Sequence, residues 1–156
     1  MIKLSNLADY AVELMCCIAL KPEHVHSSAD LATSSRIPLP TVSKILGTMV
    51  RAGLLTSNRG LNGGFKMITE AENISITHII EAVDGPVLLT NCLGDDEVSD
   101  CDRISNCGTR SQWYRINEAV KDALGSVLLS QMIENIPDFI GEGKADDLPL
   151  ISKIMN

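Results

Sequence analysis

Two prolines and a glycine bound one short helix near the middle of the N-terminal half. Ile37 and Pro38 break the pattern before it, Pro40 suits a first helical turn, and Gly53 suits the left-handed position that stops a helix. Between them Val42, Ile45, Leu46, Met49 and Val50 recur on one face. Just upstream, Ser28 can cap a second short helix, Ala-Asp-Leu-Ala-Thr-Ser-Ser-Arg, with Asp30 in its first turn where negative charge is favourable. Two short helices joined by a tight link describe a helix-turn-helix. Two extended runs follow, Leu54 to Arg59 and Phe65 to Ile68, joined by Gly60-Leu61-Asn62-Gly63-Gly64, which reads as a β-hairpin, or wing.

The face of the second helix opposite its apolar stripe carries Thr41, Ser43, Lys44, Thr48 and Arg51, short hydroxyls and long bases rather than a Glu-Lys mixture. Arg59 and Lys66 flank the wing tip, and the bare backbone at Gly63 and Gly64 is expected to let the wing approach a sugar-phosphate chain closely. The candidate nucleic-acid face therefore takes Ser28, Pro40, Thr41, Ser43, Lys44, Thr48 and Arg51 from the helices, and Arg59, Asn62, Gly63 and Lys66 from the wing.

Net charge argues against such a partner at first, since the 156 residues sum to -7. Its distribution reverses the argument. Residues 1 to 70 hold seven bases and five acids, residues 71 to 156 six bases and fifteen acids, and from Arg36 to Lys66 there are five bases and no acid. With 3% aromatic residues, a base-stacking RNA platform is disfavoured. No apolar run approaches the roughly 20 residues of a membrane span, and the N-terminus lacks the greasy stretch of a signal peptide, so a cytoplasmic location without membrane contact is expected.

The remaining helices are marked by their periodicity. Leu4, Leu7, Ala11, Leu14, Met15 and Ile18 predict a first amphipathic helix ending before Pro22, in which Cys16 and Cys17 read as core side chains. Ser75 opens another, with Ile76, Ile79, Ile80 and Val83 buried, Gly85-Pro86 at its end and His78 as a surface or boundary imidazole. From about Thr109 to Ile136 no proline interrupts the chain, and Trp113, Ile116, Val120, Leu124, Val127, Leu128 and Met132 draw one stripe. A helix of about 25 residues is near 37 Å long, more than this domain needs to cover itself. The stripe is expected to meet a second copy of the chain. The fold class is thus mainly α with a small β-hairpin, divided into a winged helix-turn-helix over 1–86, a cysteine loop over 87–108, a dimerisation helix over 109–136 and a flexible tail over 137–156.

The loop holds Cys92, Cys101 and Cys107 at spacings C-x8-C-x5-C among Asp95, Asp96, Glu97, Asp100 and Asp102. Nearby carboxylates disfavour thiolates, and little apolar content is present to order the segment. A bound metal accounts for both, since its charge deprotonates coordinating thiols and its binding energy orders the loop. Close C-x2-4-C pairs typical of structural zinc are absent, and irregular spacing suits an iron-sulfur cluster, with a fourth ligand supplied from elsewhere.

These residues together resemble the bacterial winged-helix regulators typified by the iron-sulfur cluster regulator IscR and the nitric oxide sensor NsrR. The resemblance spans roughly residues 1 to 136. It rests on KLSNLADYAVELM, IPLPTVSKILGTMVRAGLL, RGLNGGFKM, ITHIIEAVDGP, the three loop cysteines and the last helix. The stretch CGTRSQWYRINEAVKDALGSVLLSQM looks most like the subgroup that regulates the SUF iron-sulfur assembly operon. The resemblance implies a homodimer with crossed long helices, winged helices on successive major grooves of a palindromic operator, and a [2Fe-2S] or [4Fe-4S] cluster whose gain or loss orders or releases the loop. It implies Cys92, Cys101 and Cys107 as cluster ligands and Arg59 as a minor-groove contact. Where the IscR branch has a histidine three residues after the last cysteine, this chain has Arg110; Asp9 stands where the NsrR branch draws an aspartate from the other subunit, and is the candidate fourth ligand. Where IscR has Glu-Gln in the reading helix, this chain has Ser43-Lys44. The competing readings are a zinc or thiol sensor, a cluster carrier that does not act on DNA, and a winged-helix protein-interaction module. No order of Ser, His and Asp, no phosphate loop and no carboxylate pair speaks for an enzyme.

Overall fold

Helix α1 (Asn6–Ala19) starts where the Ser5 hydroxyl accepts a hydrogen bond from the Ala8 N–H, 3.0 Å, one of the four donors that a helix start leaves without a backbone partner. The same hydroxyl donates to the Asp84 carboxylate at 2.8 Å, tying this end to a helix 79 residues away. The computed structural model describes residues 3–60, 63–94, 101–102 and 104–134. Asn62 and the expected tail over 137–156 lie outside them.

Helix α2 (Ser28–Ser35) is capped by Ser27, whose hydroxyl accepts from the Asp30 N–H at 3.1 Å; Ser28, the expected cap, is the first helical residue. Both serines suit the position chemically, and the extended backbone at Ser27 decides between them. The chain leaves α2 through Arg36 at φ 59°, which among the described residues is the one non-glycine in the left-handed region. Buried Ile37 follows, then Pro38 and helix α3 (Leu39–Arg51). Gly53, at φ +75°, closes α3 as expected: its N–H bonds the Val50 carbonyl and the Leu54 N–H the Met49 carbonyl, the paired bonds of a Schellman end.

Strands β1 (Leu55–Asn58) and β2 (Gly64–Met67) form an antiparallel hairpin, with Leu55 opposite Met67 and Asn58 opposite Gly64. Only the core end of the hairpin is buried, at Leu55 and Met67. On the far side of β2, His26 pairs with Phe65 through both backbone bonds, at 2.9 and 2.8 Å. Helix α4 (Ile76–Asp84) opens on a capping box in which the Ser75 hydroxyl accepts from the His78 N–H and His78 Nδ1 accepts from the Ser75 N–H. His78 is exposed, as its pattern predicts, and its imidazole has this local role.

The helix expected to run unbroken over 109–136 is two helices, α5 (Arg110–Gly125) and α6 (Leu129–Ile133). Between them the chain extends at Leu128 and pairs with the segment before α4: the Ile76 N–H bonds the Val127 carbonyl at 2.9 Å, and the Leu129 N–H bonds the Ile74 carbonyl at 2.8 Å. Gly125, Ser126 and β-branched Val127 are weak helix formers, so the pairing and the complete burial of Leu129 outweigh continuation. The second half of the expected dimerisation helix therefore folds back on its own domain. The core is built from Leu14, Met15 and Ile18 of α1, Val42, Ile45, Leu46 and Met49 of α3, Ile79 of α4, and Leu55, Ile74 and Leu129, each under 2% exposed. Among the described residues no helix is long and apolar enough to cross a membrane.

Candidate nucleic-acid interface and cysteine loop

Because Val42, Ile45, Leu46 and Met49 bury one face of α3, the opposite face is turned outward: Pro40, Ser43, Lys44 and Arg51 are exposed, and Thr41 and Thr48 half-buried. Thr48 is engaged within the helix. Its hydroxyl donates to the Lys44 carbonyl at 3.1 Å and accepts from Arg51 Nη2 at 2.7 Å, so the guanidinium lies back along the last turn, where a cation complements the helix dipole. Ser28 lies half-buried at the start of α2.

The wing departs from the expectation at its glycines. A Cβ on Gly63 would stand 2.3 Å from the Asn58 carbonyl oxygen, and one on Gly64 2.5 Å from the His26 carbonyl oxygen. Both glycines are therefore required by the chain's own turn and by the His26–Phe65 pairing, and the space beside them is filled by protein backbone. Arg59 is exposed at the tip, whereas Lys66 forms an ion pair with Glu23 at 2.8 Å. That hydrogen bond and charge hold the Glu23 carboxyl below its ordinary range. His26, half-buried, has its pKa lowered by burial, and its Nε2 lies 3.1 Å from the Lys21 carbonyl oxygen.

The cysteines separate into two environments. Cys16 and Cys17 are buried in α1, where burial pushes both thiols up to about 11; Cys17 and Glu13 add repulsion at Cys16, and Glu13 at Cys17. They are core side chains. Cys92 is 6% exposed with its sulfur 3.2 Å from Thr90 Oγ1, while Cys101 and Cys107 are half-buried, the latter 3.4 Å from Thr109 Oγ1. Arg110, the residue that replaces the expected histidine, donates through Nε to the Cys92 carbonyl at 3.2 Å. Among the described residues no group of three or more His, Cys, Asp or Glu is placed to hold a metal ion. Cys92, Cys101 and Cys107 are thus not gathered into a donor set in this conformation, and Asp9, expected to act from the other subunit, is exposed in the first turn of α1.

The residue that anchors the loop is one that periodicity missed. Asn117, 4% exposed, accepts from the Leu89 N–H at 2.9 Å and donates to the Val87 carbonyl at 3.0 Å, pinning the chain just before Cys92 to α5. Burial of Asn117 rotates α5 away from the expected stripe, and Trp113, Tyr114 and Ile116 are left 40 to 59% exposed. A polar residue three positions before Val120 and four after Trp113, inside an apolar stripe, was the available signal.

The Rrf2 family, described as iron-dependent transcriptional regulators, matches residues 4–135. The chain belongs to the Rrf2 family. It is 31% identical over 137 residues to the transcriptional regulator IscR of Vibrio vulnificus, covering 85% of this chain and 78% of that protein. It is 29% identical over 134 residues to IscR of Vibrio campbellii, with 85% and 78% covered. Among solved structures it resembles CymR, the global cysteine regulator of B. subtilis, with 25% identity, a TM-score of 0.68, and 88% of this chain and all of that one covered. The fold is also that of T. potens IscR, at 24% identity and a TM-score of 0.63 over 85% and 86% of the two chains. This Rrf2 member is a winged-helix, DNA-binding transcriptional regulator and not an enzyme.

Proposed function

We propose that the chain acts as a homodimer on a palindromic duplex, with α3 entering the major groove, Arg59 reaching the minor groove, and the cysteine loop reporting iron-sulfur status or redox or nitric oxide stress to genes of iron-sulfur assembly. The observation that carries the DNA reading is the outward face of α3, where Ser43, Lys44 and Arg51 stand beside a wing tipped by Arg59 within a segment free of acids. The dimer reading rests on Trp113, Tyr114 and Ile116, large side chains exposed on one helix, which a second copy would cover.

The sensor reading rests on the loop's attachment. Asn117 and Arg110 tie the neighbourhood of Cys92 to α5, so a chemical change at the cysteines acts on the helix that carries the proposed dimer face. The family's description and the IscR relatives favour an iron-sulfur cluster on Cys92, Cys101 and Cys107, with Asp9 of the partner subunit as the fourth ligand. In this conformation Cys92, Cys101 and Cys107 are not gathered into one donor set. A second reading, sensing through the thiols or zinc, is favoured by the partial exposure of Cys101 and Cys107.

One experiment tests both levels. The full chain is purified anaerobically, its visible spectrum, iron and acid-labile sulfide are measured, and duplex binding is compared for wild type and Cys101→Ala before and after chelation and oxidation. Matched iron and sulfide support the cluster; a colourless protein whose DNA affinity changes with thiol oxidation supports the second reading. Equal affinity of Cys101→Ala and wild type in every state refutes a sensing role for the loop.

A further inference from the structure

A helix that ends in the left-handed region usually does so on glycine, because an L side chain there crowds the following carbonyl. Helix α2 ends on Arg36 instead, at φ 59° and ψ 16°. The other positive φ values among the described residues belong to Gly53, Gly60 and Gly85, so glycine serves at every other such corner. An arginine held in a disfavoured backbone conformation points to a use for its side chain. Packing within the chain supplies none. Arg36 is exposed, and among the described residues its guanidinium has no carboxylate, carbonyl or aromatic partner. By contrast Lys66 is paired with Glu23, Lys121 with Glu81, Arg51 with the Thr48 hydroxyl and Arg110 with the Cys92 carbonyl.

The start of α3, two residues further on, lacks what Arg36 has to give. A helix leaves its first four N–H groups without a helical partner, and such groups ordinarily attract phosphate. Here Pro38 and Pro40 have no N–H, and that of Thr41 is taken by the Pro38 carbonyl at 2.9 Å, which leaves Leu39 alone. No side chain caps this end, and Pro38, Leu39 and Pro40 are all exposed. In a helix-turn-helix the first residues of the second helix face base edges, and contacts to phosphates fix its register. Arg36 is the base nearest in sequence to that end, and it opens the stretch from Arg36 to Lys66 that holds five bases and no acid.

We propose that Arg36 is a phosphate-binding residue that takes over from the missing donors of the α3 start and fixes the register of this helix on the duplex. The inference rests on the reading of α3 as the groove-entering helix. A guanidinium suits the task, since its planar fork of donors matches phosphate oxygens in pairs and its charge does not titrate. The contact is to the DNA backbone and carries no sequence information of its own.

The test compares the full wild-type chain with three variants. Arg36→Gly removes the charge and the backbone strain, Arg36→Gln removes the charge alone, and Arg36→Lys keeps the charge. Binding to a duplex enriched by the protein from a randomised library, and to a scrambled duplex, is read by fluorescence anisotropy over a series of salt concentrations. With Arg36→Gly and Arg36→Gln the plot of log affinity against log salt should be shallower by about 0.9 for each half-site. Binding at about 0.1 M salt should weaken about five- to tenfold per half-site, alike on both duplexes. Arg36→Lys should keep the wild-type slope. Arg36→Gly should melt level with wild type or a few degrees higher, because glycine suits the corner, so binding is lost while folding is kept. Equal slopes for wild type, Arg36→Gly and Arg36→Gln refute the contact. A slope made shallower by Arg36→Gly but not by Arg36→Gln assigns the effect to the turn and refutes it too, as does a slope that Arg36→Lys reduces as much as Arg36→Gln. If Lys44→Ala and Arg59→Ala also leave the slope unchanged, the reading of α3 and the wing as the DNA face fails; if either makes it shallower, only the Arg36 contact is lost.

Discussion

Asn117 is the most informative residue to remove, because one buried side chain satisfies two backbone groups that would otherwise be unpaired. Asn117→Ala deletes the acceptor for the Leu89 N–H and the donor for the Val87 carbonyl. Each hydrogen bond contributes about 0.5–1.5 kcal/mol net, and leaving a partner unsatisfied adds about 1–3 kcal/mol. Water reaches the half-buried segment around Leu89 and limits that penalty, so the expected loss is about 2–4 kcal/mol. With a urea slope of about 2 kcal/mol per molar, the midpoint falls by about 1–2 M. Hydrogen exchange should show the Leu89 amide accelerated beyond the global change, because its acceptor is gone. Asn117→Asp keeps that acceptor and replaces the amide donor by a carboxyl whose folded-state pKa burial raises. A raised folded pKa means that stability is fully present below the unfolded value near 4 and is lost as pH rises through the folded value. The aspartate variant should therefore approach wild type in acid and fall toward the alanine variant at neutral pH. An alanine variant within about 0.5 kcal/mol of wild type, with normal exchange at Leu89, would refute the assignment of loop anchoring to this side chain.

Three further outcomes follow from the wing. Gly64→Ala drives a Cβ to within 2.5 Å of the His26 carbonyl oxygen and should break the His26–Phe65 pairing at a loss of about 1–3 kcal/mol; an unchanged urea midpoint would show that the strand shifts freely. Glu23→Gln removes the partner of Lys66 while leaving folding unchanged, since the carboxylate is fully exposed. If Lys66 then meets a phosphate, the plot of log affinity against log salt steepens by about 0.9, and an unaltered slope would place Lys66 off the DNA. His26 is held below its ordinary pKa by burial, so the unfolded chain takes up its proton first: stability from this residue is present above about pH 6.5 and is lost as pH falls through the folded value. His26→Gln should flatten the urea midpoint between pH 7 and 5, and equal slopes for the two proteins would remove His26 as the cause.

The winged helix was legible because each of its boundaries has a local chemical cause. Pro38, Pro40 and Gly53 mark α3, and the hairpin follows from two extended runs around glycines. The cap of α2 was misplaced by one residue because Ser27 and Ser28 are chemically equivalent, and only the backbone tells them apart. The break after α5 depends on a partner distant in sequence: Val127 and Leu129 leave the helix to pair with Ile76 and Ile74. Periodicity has no access to such a competitor, although Gly125-Ser126-Val127 marks where one could win. The wing glycines show the same gap in another form. Their absent side chains suggest access for DNA, whereas the carbonyls of Asn58 and His26 occupy that space. For the cysteines, spacing named the candidates, but the assembly of a donor set depends on how the loop closes, which spacing does not encode.

The way the loop is attached determines how any change in it must act. Asn117 and Arg110 join the chain around Cys92 to α5, and α5 in turn meets α4 through the Thr77 hydroxyl on the Lys121 carbonyl, 3.4 Å, and the Lys121–Glu81 ion pair, 3.6 Å. Helix α4 packs on both α1 and α3, and its Asp84 receives the hydroxyl that caps α1. The polar contacts of α5 are partly exposed and its Leu124 packs only partly buried against the core, whereas α1, α3 and α4 share a core of fully buried side chains. Weaker contacts yield first, so a rearranged loop should move α5 against a winged helix that stays rigid. In the proposed homodimer α5 carries Trp113, Tyr114 and Ile116 toward the partner, and such a movement alters the separation of the two α3 helices without changing either of them. Removal of Asn117 cuts this linkage at its buried end, so Asn117→Ala should leave DNA binding in place while abolishing its dependence on the state of the cysteines.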